Sequence, residues 1–175
     1  EFGYKIIGPE IGDMACGEYG EGKMTEPPEI LKYLEKYFYY LNNNSKLTAL
    51  VTAGPTHEYI DPVRYITNRS SGKQGYEIAK CLNDSGVETT LITGPTSLAS
   101  IDGVTTIKVT SAKEMFKKTL DSLPSDIAIF SAAVSDWKVK NYRNIKIKKN
   151  DELNLEFERN IDILNYVSNH NSLRP

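Results

Sequence analysis

The segment Leu47-Thr-Ala-Leu-Val-Thr-Ala-Gly-Pro-Thr56 is an apolar, partly β-branched run that ends in turn residues. A short run of this kind is typical of a strand that is buried on both faces of a parallel sheet. Similar runs follow at residues 89–93, which lead into Gly94-Pro95-Thr96, and at residues 126–133. These repeats predict several parallel strands in one sheet, and residues 104–109 predict one more.

Helical patterns alternate with these strands. Apolar residues at positions 78, 79, 81 and 82 form one face of a predicted helix that Gly86 closes. Ser111 and Glu114 form a capping box ahead of an apolar stripe over residues 112–123. Strands that alternate with helices indicate an α/β fold, in which a Rossmann-like parallel sheet carries helices on both faces.

The last third of the chain has a different pattern. Residues 145–149 and 153–157 alternate apolar with charged side chains about Asn150-Asp151, which predicts an antiparallel β-hairpin beside the sheet. A final helix is predicted over about residues 162–168. Because no obvious closing strand follows, we expect the fold to be cut short at its C-terminal end.

The first part of the chain is organised separately. Residues 1–24 are crowded with Gly and Glu and show neither helical nor strand periodicity, whereas apolar residues recur at helical spacing from position 30 to position 41. A polar break follows at residues 42–45. We therefore predict a boundary there, between a tail and linker over residues 1–45 and a second domain over residues 46–175.

Composition narrows the function classes. The chain has 175 residues, a net charge of -2 and 39% hydrophobic residues, which is ordinary for a soluble globular protein. No apolar run approaches the ~18 residues of a membrane span, and the start lacks the apolar core of a signal peptide, so we expect a cytoplasmic protein. Cys16, Cys81 and two histidines lack metal-ligand spacing, so no protein-bound metal is predicted. The acidic balance argues against a nucleic acid partner.

Ligands of open parallel sheets bind beyond the carboxyl ends of the strands, which here means residues 54–75, 94–96 and 132–137. The sequence Ser70-Ser71-Gly72-Lys73-Gln74-Gly75 is either a phosphate cradle at a helix start or an ordinary surface turn. The G-x-G-x-x-G pattern of NAD sites and the P-loop pattern are both missing. A dinucleotide is therefore disfavoured, and a small phosphorylated ligand remains open.

Three further features are open to two interpretations. Asp136 follows a buried strand and would either hold ribose hydroxyls or cap a turn. Trp137 would either stack on a base or pack half-buried. Residues 138–149 contain six bases and no acid, and Lys146, Lys148 and Lys149 form either an anion site or a solvated hairpin face.

The motifs at these strand ends form an ordered set: Val51-Thr-Ala-Gly-Pro-Thr56, Asp61-Pro-Val-Arg-Tyr-Ile-Thr-Asn-Arg-Ser-Ser-Gly-Lys-Gln-Gly75, Ala132-Ala-Val-Ser-Asp136 and Lys146-Ile-Lys-Lys149. Together they resemble the phosphopantothenoylcysteine synthetase family of the bacterial, CTP-using kind. The resemblance runs from about residue 47 to residue 175. It implies ligation of 4'-phosphopantothenate to cysteine through an acyl-cytidylate, with Mg²⁺ accompanying CTP, in coenzyme A biosynthesis.

The resemblance also implies roles for individual residues. Lys146 matches the lysine that offsets phosphate charge in the first step, Asn68 matches the asparagine of acyl-cytidylate turnover, and Arg64 matches the arginine just upstream of it. The candidate nucleotide-binding residues are Gly54, Ser70, Ser71, Gly72, Ala132, Ser135, Asp136, Trp137, Lys146, Lys148, Asn160 and Asp162. Ile161 stands where the family has proline, so the match around Asp162 is looser.

The tail resembles the end of the flavin-dependent decarboxylase that is commonly fused upstream of this synthetase. Cys16 matches the decarboxylase cysteine, but the FMN-binding body of that enzyme is missing from the sequence, so we expect an orphaned thiol and no FMN binding. The family forms homodimers, and we expect a homodimer here. We expect a fragment with weak or no ligase turnover; a noncatalytic nucleotide-binding module and a Rossmann-type oxidoreductase are the alternatives.

Overall fold

The computed structural model describes residues 7–13, 19–42, 47–149, 154–170 and 172. Cys16 and the predicted turn at residues 150–151 lie outside the described residues. The elements, in chain order, are β1 (Glu10–Asp13), β2 (Tyr19–Lys23), α1 (Pro27–Asn42), β3 (Thr48–Ala53), β4 (His57–Tyr59), β5 (Tyr65–Thr67), α2 (Lys73–Asp84), β6 (Glu88–Thr93), β7 (Thr105–Lys108), α3 (Ala112–Asp121), β8 (Ile127–Phe130), β9 (Trp137–Val139), β10 (Phe157–Arg159) and α4 (Ile163–Ser168).

The chain divides into two compact units, Glu1–Ser45 and Lys46–Pro175. The first unit contains the antiparallel pair of β1 with β2, followed by α1. The predicted helix over residues 30–41 is confirmed, and two prolines at its start supply the preset backbone angle that favours a first helical turn. No helix within the described ranges is long and apolar enough to cross a lipid bilayer.

The second unit is built on a four-stranded parallel sheet with the strand order β7-β6-β3-β8. Side chains of the central strand β3 alternate between two faces. Leu50 packs in a cluster with Met115 of α3 and Ile163 of α4, whereas Val51 packs in a second cluster with Tyr76 of α2. The sheet therefore carries helices on both faces, and the predicted α/β Rossmann-like class is confirmed.

The predicted Ser111 cap of α3 is confirmed, whereas the Glu114 carboxylate bonds the residue before the cap rather than the cap itself. The Ser111 Oγ accepts a hydrogen bond from the Glu114 N–H at 3.2 Å, and the Glu114 carboxylate accepts one from the Thr110 N–H at 2.7 Å. A third contact was not predicted: the buried Glu58 carboxylate accepts a hydrogen bond from the Ala112 N–H at 2.9 Å. Glu58 thereby fixes β4 against the first turn of α3.

The predicted hairpin over residues 145–157 is wrong in its strands. The antiparallel pair joins β9 to β10 instead, with Trp137 opposite Arg159. Residues 145–149 contain no strand, because the Ile147 backbone is bonded to side chains of another loop: its N–H donates to Asp61 at 3.1 Å, and its carbonyl accepts from Arg64 at 3.1 Å. The alternating pattern there reflects burial of Ile147 between exposed lysines.

Candidate functional site

A cavity of about 590 Å³ lies beyond the carboxyl ends of β3 and β8. Its walls come from three parts of the second unit: the end of the sheet, the segment after β8, and the segment that joins β10 to α4. Six predicted nucleotide-binding residues line it: Ala132, Ser135, Asp136, Trp137, Asn160 and Asp162. The structure thus brings together two candidate segments that are well separated along the sequence.

The segment after β8 is held in place by the end of β3 and the loop that follows it. The Ala133 N–H donates to the Gly54 carbonyl at 2.9 Å, and the Ser135 N–H donates to the Thr56 hydroxyl at 3.0 Å. Both Thr56 and Ser135 are buried. The cavity wall is therefore an extension of the sheet, in which the position of Ser135 depends on residues after β3.

Asn160 joins the two walls of this cavity. Its side-chain N–H donates to the Ser135 carbonyl at 2.8 Å, and its backbone N–H donates to the Asp136 carbonyl at 2.8 Å. Asp162 has a local role as well, because its carboxylate caps α4 by accepting from the Asn165 N–H at 2.9 Å. Asn160 thus stabilises the loop after β8, and Asp162 stabilises the start of α4.

The cavity offers three kinds of chemical contact. The Trp137 side chain is 47% exposed, and the Arg159 guanidinium lies over its ring with the central carbon 5.4 Å from the ring centroid. The Asp136 side chain is exposed at the same wall. An aromatic face, a cation and a carboxylate suit a base, a phosphate and ribose hydroxyls respectively. Sequence analysis missed Arg159, because only strand pairing places it opposite Trp137.

A second cavity, shallow and wide open to solvent, has a volume of about 570 Å³ and is lined by Asn68, Ser70 and Ser71 together with His57 and Arg69. The Asn68 side-chain N–H donates to the Ala133 carbonyl at 3.3 Å and to the Val134 carbonyl at 3.0 Å. Ala133 and Val134 are themselves lining residues of the first cavity. Asn68 therefore lies where the two cavities share a wall.

The predicted serine and glycine cradle packs tightly at the start of α2. Gly72 has a positive φ of 75°, and a Cβ at this position would lie 3.3 Å from the Gly54 Cα and 2.8 Å from a Thr96 methyl group. The Ser70 hydroxyl accepts from the Gly72 N–H at 3.3 Å, and the Ser71 hydroxyl accepts from the Lys73 N–H at 3.4 Å. The close approach explains these glycines, and both serine hydroxyls contact local backbone.

Arg64 lies in a hydrogen-bonded cluster around the buried carboxylate of Asp61. The Arg64 guanidinium donates to this carboxylate and to the Ile147 carbonyl, and the backbone N–H groups of Val63, Arg64 and Ile147 also donate to the carboxylate. The Arg64 side chain, followed by these backbone donors, holds the pKa of Asp61 well below its usual range. Arg64 thus connects the β4–β5 loop to the lysine segment.

The predicted lysines lie apart from both cavities. Lys146 and Lys148 line a surface depression of about 390 Å³ with Arg143 and Ile147, and both lysines are exposed. The structure therefore does not bring Lys146 into the cavity that contains Asp136. Among the described residues, no cluster of three or more histidine, cysteine, aspartate or glutamate side chains could hold a metal ion.

The Asp61 cluster predicts how stability depends on pH. An unfolded aspartate has a pKa of about 3.9, and the folded one is lower, so the folded state resists the proton that the unfolded state accepts. The contribution of Asp61 to the free energy of unfolding is therefore complete above about pH 5, and it declines as the pH falls towards the pKa of the folded state. We expect Asp61→Asn to lower the midpoint of thermal unfolding at pH 7 by more than about 5 °C.

Thermal unfolding followed between pH 7 and pH 3 tests this expectation, and the gap between the two proteins should narrow on acidification. The exposed Asp121, which pairs with Lys118 at 3.4 Å, provides the control substitution Asp121→Asn, with a small effect. A gap for Asp61→Asn that stays constant down to pH 3 would contradict the prediction.

Comparison with known proteins identifies the family of this chain. The model of the DNA/pantothenate metabolism flavoprotein C-terminal domain matches residues 45–174. Two relatives described as coenzyme A biosynthesis bifunctional protein CoaBC are each 42% identical to this chain. The match to the Haemophilus influenzae protein runs over 175 residues and covers 99% of this chain and 44% of that protein. The match to the Bacillus subtilis protein runs over 168 residues and covers 93% of this chain and 41% of that protein. The chain thus spans less than half the length of these relatives.

A solved structure is similar to the same part of the chain. The C-terminal domain of a coenzyme A biosynthesis bifunctional protein CoaBC superimposes with a TM-score of 0.63 at 39% sequence identity, over 73% of this chain and 61% of that one. The fold of the matched part of this chain is therefore similar to that of a solved domain.

Proposed function

This chain belongs to the family of the DNA/pantothenate metabolism flavoprotein C-terminal domain, and from that premise we propose that it forms the CTP-binding part of a ligase that joins 4'-phosphopantothenate to cysteine in coenzyme A biosynthesis. The names of its relatives support the pathway. The observation that carries the proposal is the cavity beyond β3 and β8, where Trp137, Arg159 and Asp136 surround one space and Asn68 is bonded to its wall.

The proposed reaction has two steps. The 4'-phosphopantothenate carboxylate attacks the α-phosphate of CTP, which gives an acyl-cytidylate and pyrophosphate, and the cysteine amine then displaces CMP. In this proposal Trp137 stacks on cytosine, Asp136 contacts the ribose, and Arg159 neutralises phosphate charge. Mg²⁺ arrives with the triphosphate as part of the substrate complex. The Asn68 amide, which donates to the Ala133 and Val134 carbonyls in this structure, would exchange one of these bonds for a bond to the oxyanion that develops in the second step.

Lys146 and Arg64 have linked roles in the proposal. Arg64 and Asp61 hydrogen-bond to the backbone of Ile147, so they position the backbone of the neighbouring Lys146. Lys146 would reach the outer phosphates of CTP rather than the nucleoside, since it lies outside the cavity. Arg64 is then a positioning residue, and the lysine supplies a mobile charge.

We also propose what each unit contributes. Residues 46–175 are the nucleotide-binding domain. Residues 1–45 correspond to the end of a decarboxylase, whose body, rather than this end, would bind FMN. A homodimer in the cytoplasm is the proposed working form.

Calorimetry with CTP, ATP and NADPH in the presence of Mg²⁺ tests the proposed ligand. We expect CTP to bind more tightly than ATP, and NADPH not to bind. Preferential binding of NADPH would support an oxidoreductase instead. Binding of CTP by the full-length protein without release of pyrophosphate or CMP in the presence of both substrates would support a noncatalytic module.

The substitution Lys146→Gln is expected to weaken CTP binding by about tenfold, since one charge-assisted contact to a phosphate is lost. Cytidine, which lacks phosphates, should bind both proteins equally because Lys146 does not line the nucleoside cavity. Titration of the wild-type protein and the variant with CTP and with cytidine measures the difference. Equal CTP affinities would remove Lys146 from the triphosphate site.

A further inference from the structure

His57 lies at the start of β4 and lines the same cavity as Asn68 and Ser70. Its position is fixed by three contacts. The His57 backbone N–H donates to the Thr110 carbonyl at 2.8 Å, and the imidazole stacks on the Tyr65 ring with centroids 3.9 Å apart and planes inclined by 10°. The adjacent Glu58 ties β4 to α3. The ring is therefore held with one face on Tyr65, in a residue that lines the cavity.

The surroundings of His57 favour its neutral form. Burial lowers its pKa below the ordinary 6.5, and the negative charge of Glu58 opposes this only in part. Arg69 lines the same cavity, and Tyr59 packs edge-on against Tyr65. A neutral imidazole has one nitrogen able to accept a proton at pH 7, whereas an arginine beside it cannot accept one.

We propose that His57 is a catalytic residue that accepts the proton lost by the cysteine amine during amide formation. This inference rests on the proposed ligase function. The amine nitrogen bonds to the acyl carbon, the bond from that carbon to the cytidylate oxygen breaks, and CMP leaves with the electron pair. The ammonium proton moves to the free ring nitrogen of His57. Asn68, at the same cavity, would stabilise the oxyanion of the intervening tetrahedral state.

The chain offers a matched control for His57. Its other histidine, His170, also stacks on a tyrosine, with its ring centroid 4.1 Å from that of Tyr166. However, the His170 Nδ1 lies 2.7 Å from the Tyr166 carbonyl oxygen, and His170 lines neither of the two cavities nor the surface depression described above. A comparison of substitutions at the two histidines therefore distinguishes the effect of lining the cavity from the effect of stacking on a tyrosine.

The test measures both half-reactions in the full-length protein. For His57→Gln we expect pyrophosphate release from CTP and 4'-phosphopantothenate to be unchanged, and cysteine-dependent CMP release to fall by about 100-fold. The wild-type rate with cysteine should decline below about pH 6.5 as the imidazole is protonated, and the variant should lack this acidic limb. His170→Gln should behave as the wild-type protein.

Two outcomes would overturn the assignment: equal losses in both half-reactions, which indicate a binding role, or no loss in either. Nuclear magnetic resonance titration of the two histidine rings provides a test without substitution, because a His57 pKa above 7 would also overturn it. The proposed function fails separately, if the wild-type protein releases no pyrophosphate with CTP and 4'-phosphopantothenate, and the His57 assignment falls with it.

Discussion

The substitution Gly94→Ala is expected to be the most destabilising single change in the second unit, with a loss of at least about 3 kcal/mol of the free energy of unfolding. Gly94 follows β6, and its N–H donates to the Ala53 carbonyl at 2.9 Å. A Cβ on Gly94 would overlap the Pro55 carbonyl oxygen and lie 2.8 Å from the carbonyl carbon. Because the clash is with backbone, no change of rotamer can relieve it.

The damage should also reach the nucleotide cavity. The residue after Pro55 is Thr56, whose hydroxyl accepts from the Ser135 N–H at 3.0 Å. A shift of Pro55 would therefore displace the wall that contains Ser135 and Asp136. We expect CTP affinity to fall together with stability in any Gly94→Ala protein that still folds.

Urea unfolding and CTP titration measure these two effects. The exposed Ser97 lies three residues further along the same loop, and Ser97→Ala serves as a control that should change neither quantity by much. A Gly94→Ala protein with the stability of wild type would show that the loops after β3 and β6 can move apart. It would contradict the prediction that the close contact with Pro55 requires glycine at position 94.

The sheet and helices could be predicted because their signals are local. Residues 47–53 are apolar except for two threonines, since β3 is central and both of its faces are covered. Ser111 caps α3 through a residue only three positions away. Gly-Pro turns after β3 and β6 correctly marked the ends of strands. In each case the residues that determine the structure lie within one turn or one strand of each other.

The predictions that failed depended on contacts distant in sequence. The alternating residues 145–149 indicated one buried face, but the partners of Ile147 are Asp61 and Arg64, more than 80 positions earlier. No sequence pattern near Ile147 predicts that the Asp61 carboxylate will bind its backbone N–H. The strand pattern was therefore assigned to the lysine segment, although the antiparallel pair lies between β9 and β10.

The candidate site shows the same division. That Asp136 and Trp137 line a cavity could be predicted, because they follow a parallel strand at the edge where ligands of such sheets bind. Arg159 could not, because it enters the cavity only through its pairing with Trp137. The family resemblance assigns Lys146 and Asp136 to one nucleotide site, and the structure places Lys146 in a separate depression.

The substitution Asn68→Ala is expected to reduce cysteine-dependent CMP release by about 100-fold to 1,000-fold, as the loss of an oxyanion donor does in other enzymes. The Asn68 amide bonds to the Ala133 and Val134 carbonyls, which hold it at the wall shared by the two cavities. Pyrophosphate release should continue, so the acyl-cytidylate should accumulate. Quenched-flow analysis with labelled CTP would detect this intermediate directly.

Two further variants sharpen the result. Asn68→Asp keeps the shape but sets a carboxylate against two carbonyl oxygens, so it should also weaken the cavity wall and lower CTP affinity. Gln74→Ala removes an exposed amide from α2 nearby and should have little effect. Equal loss of both half-reactions in Asn68→Ala would contradict a role in the second step. An Asn68→Ala protein that keeps the acidic limb attributed to His57 would assign the oxyanion and the proton to different residues.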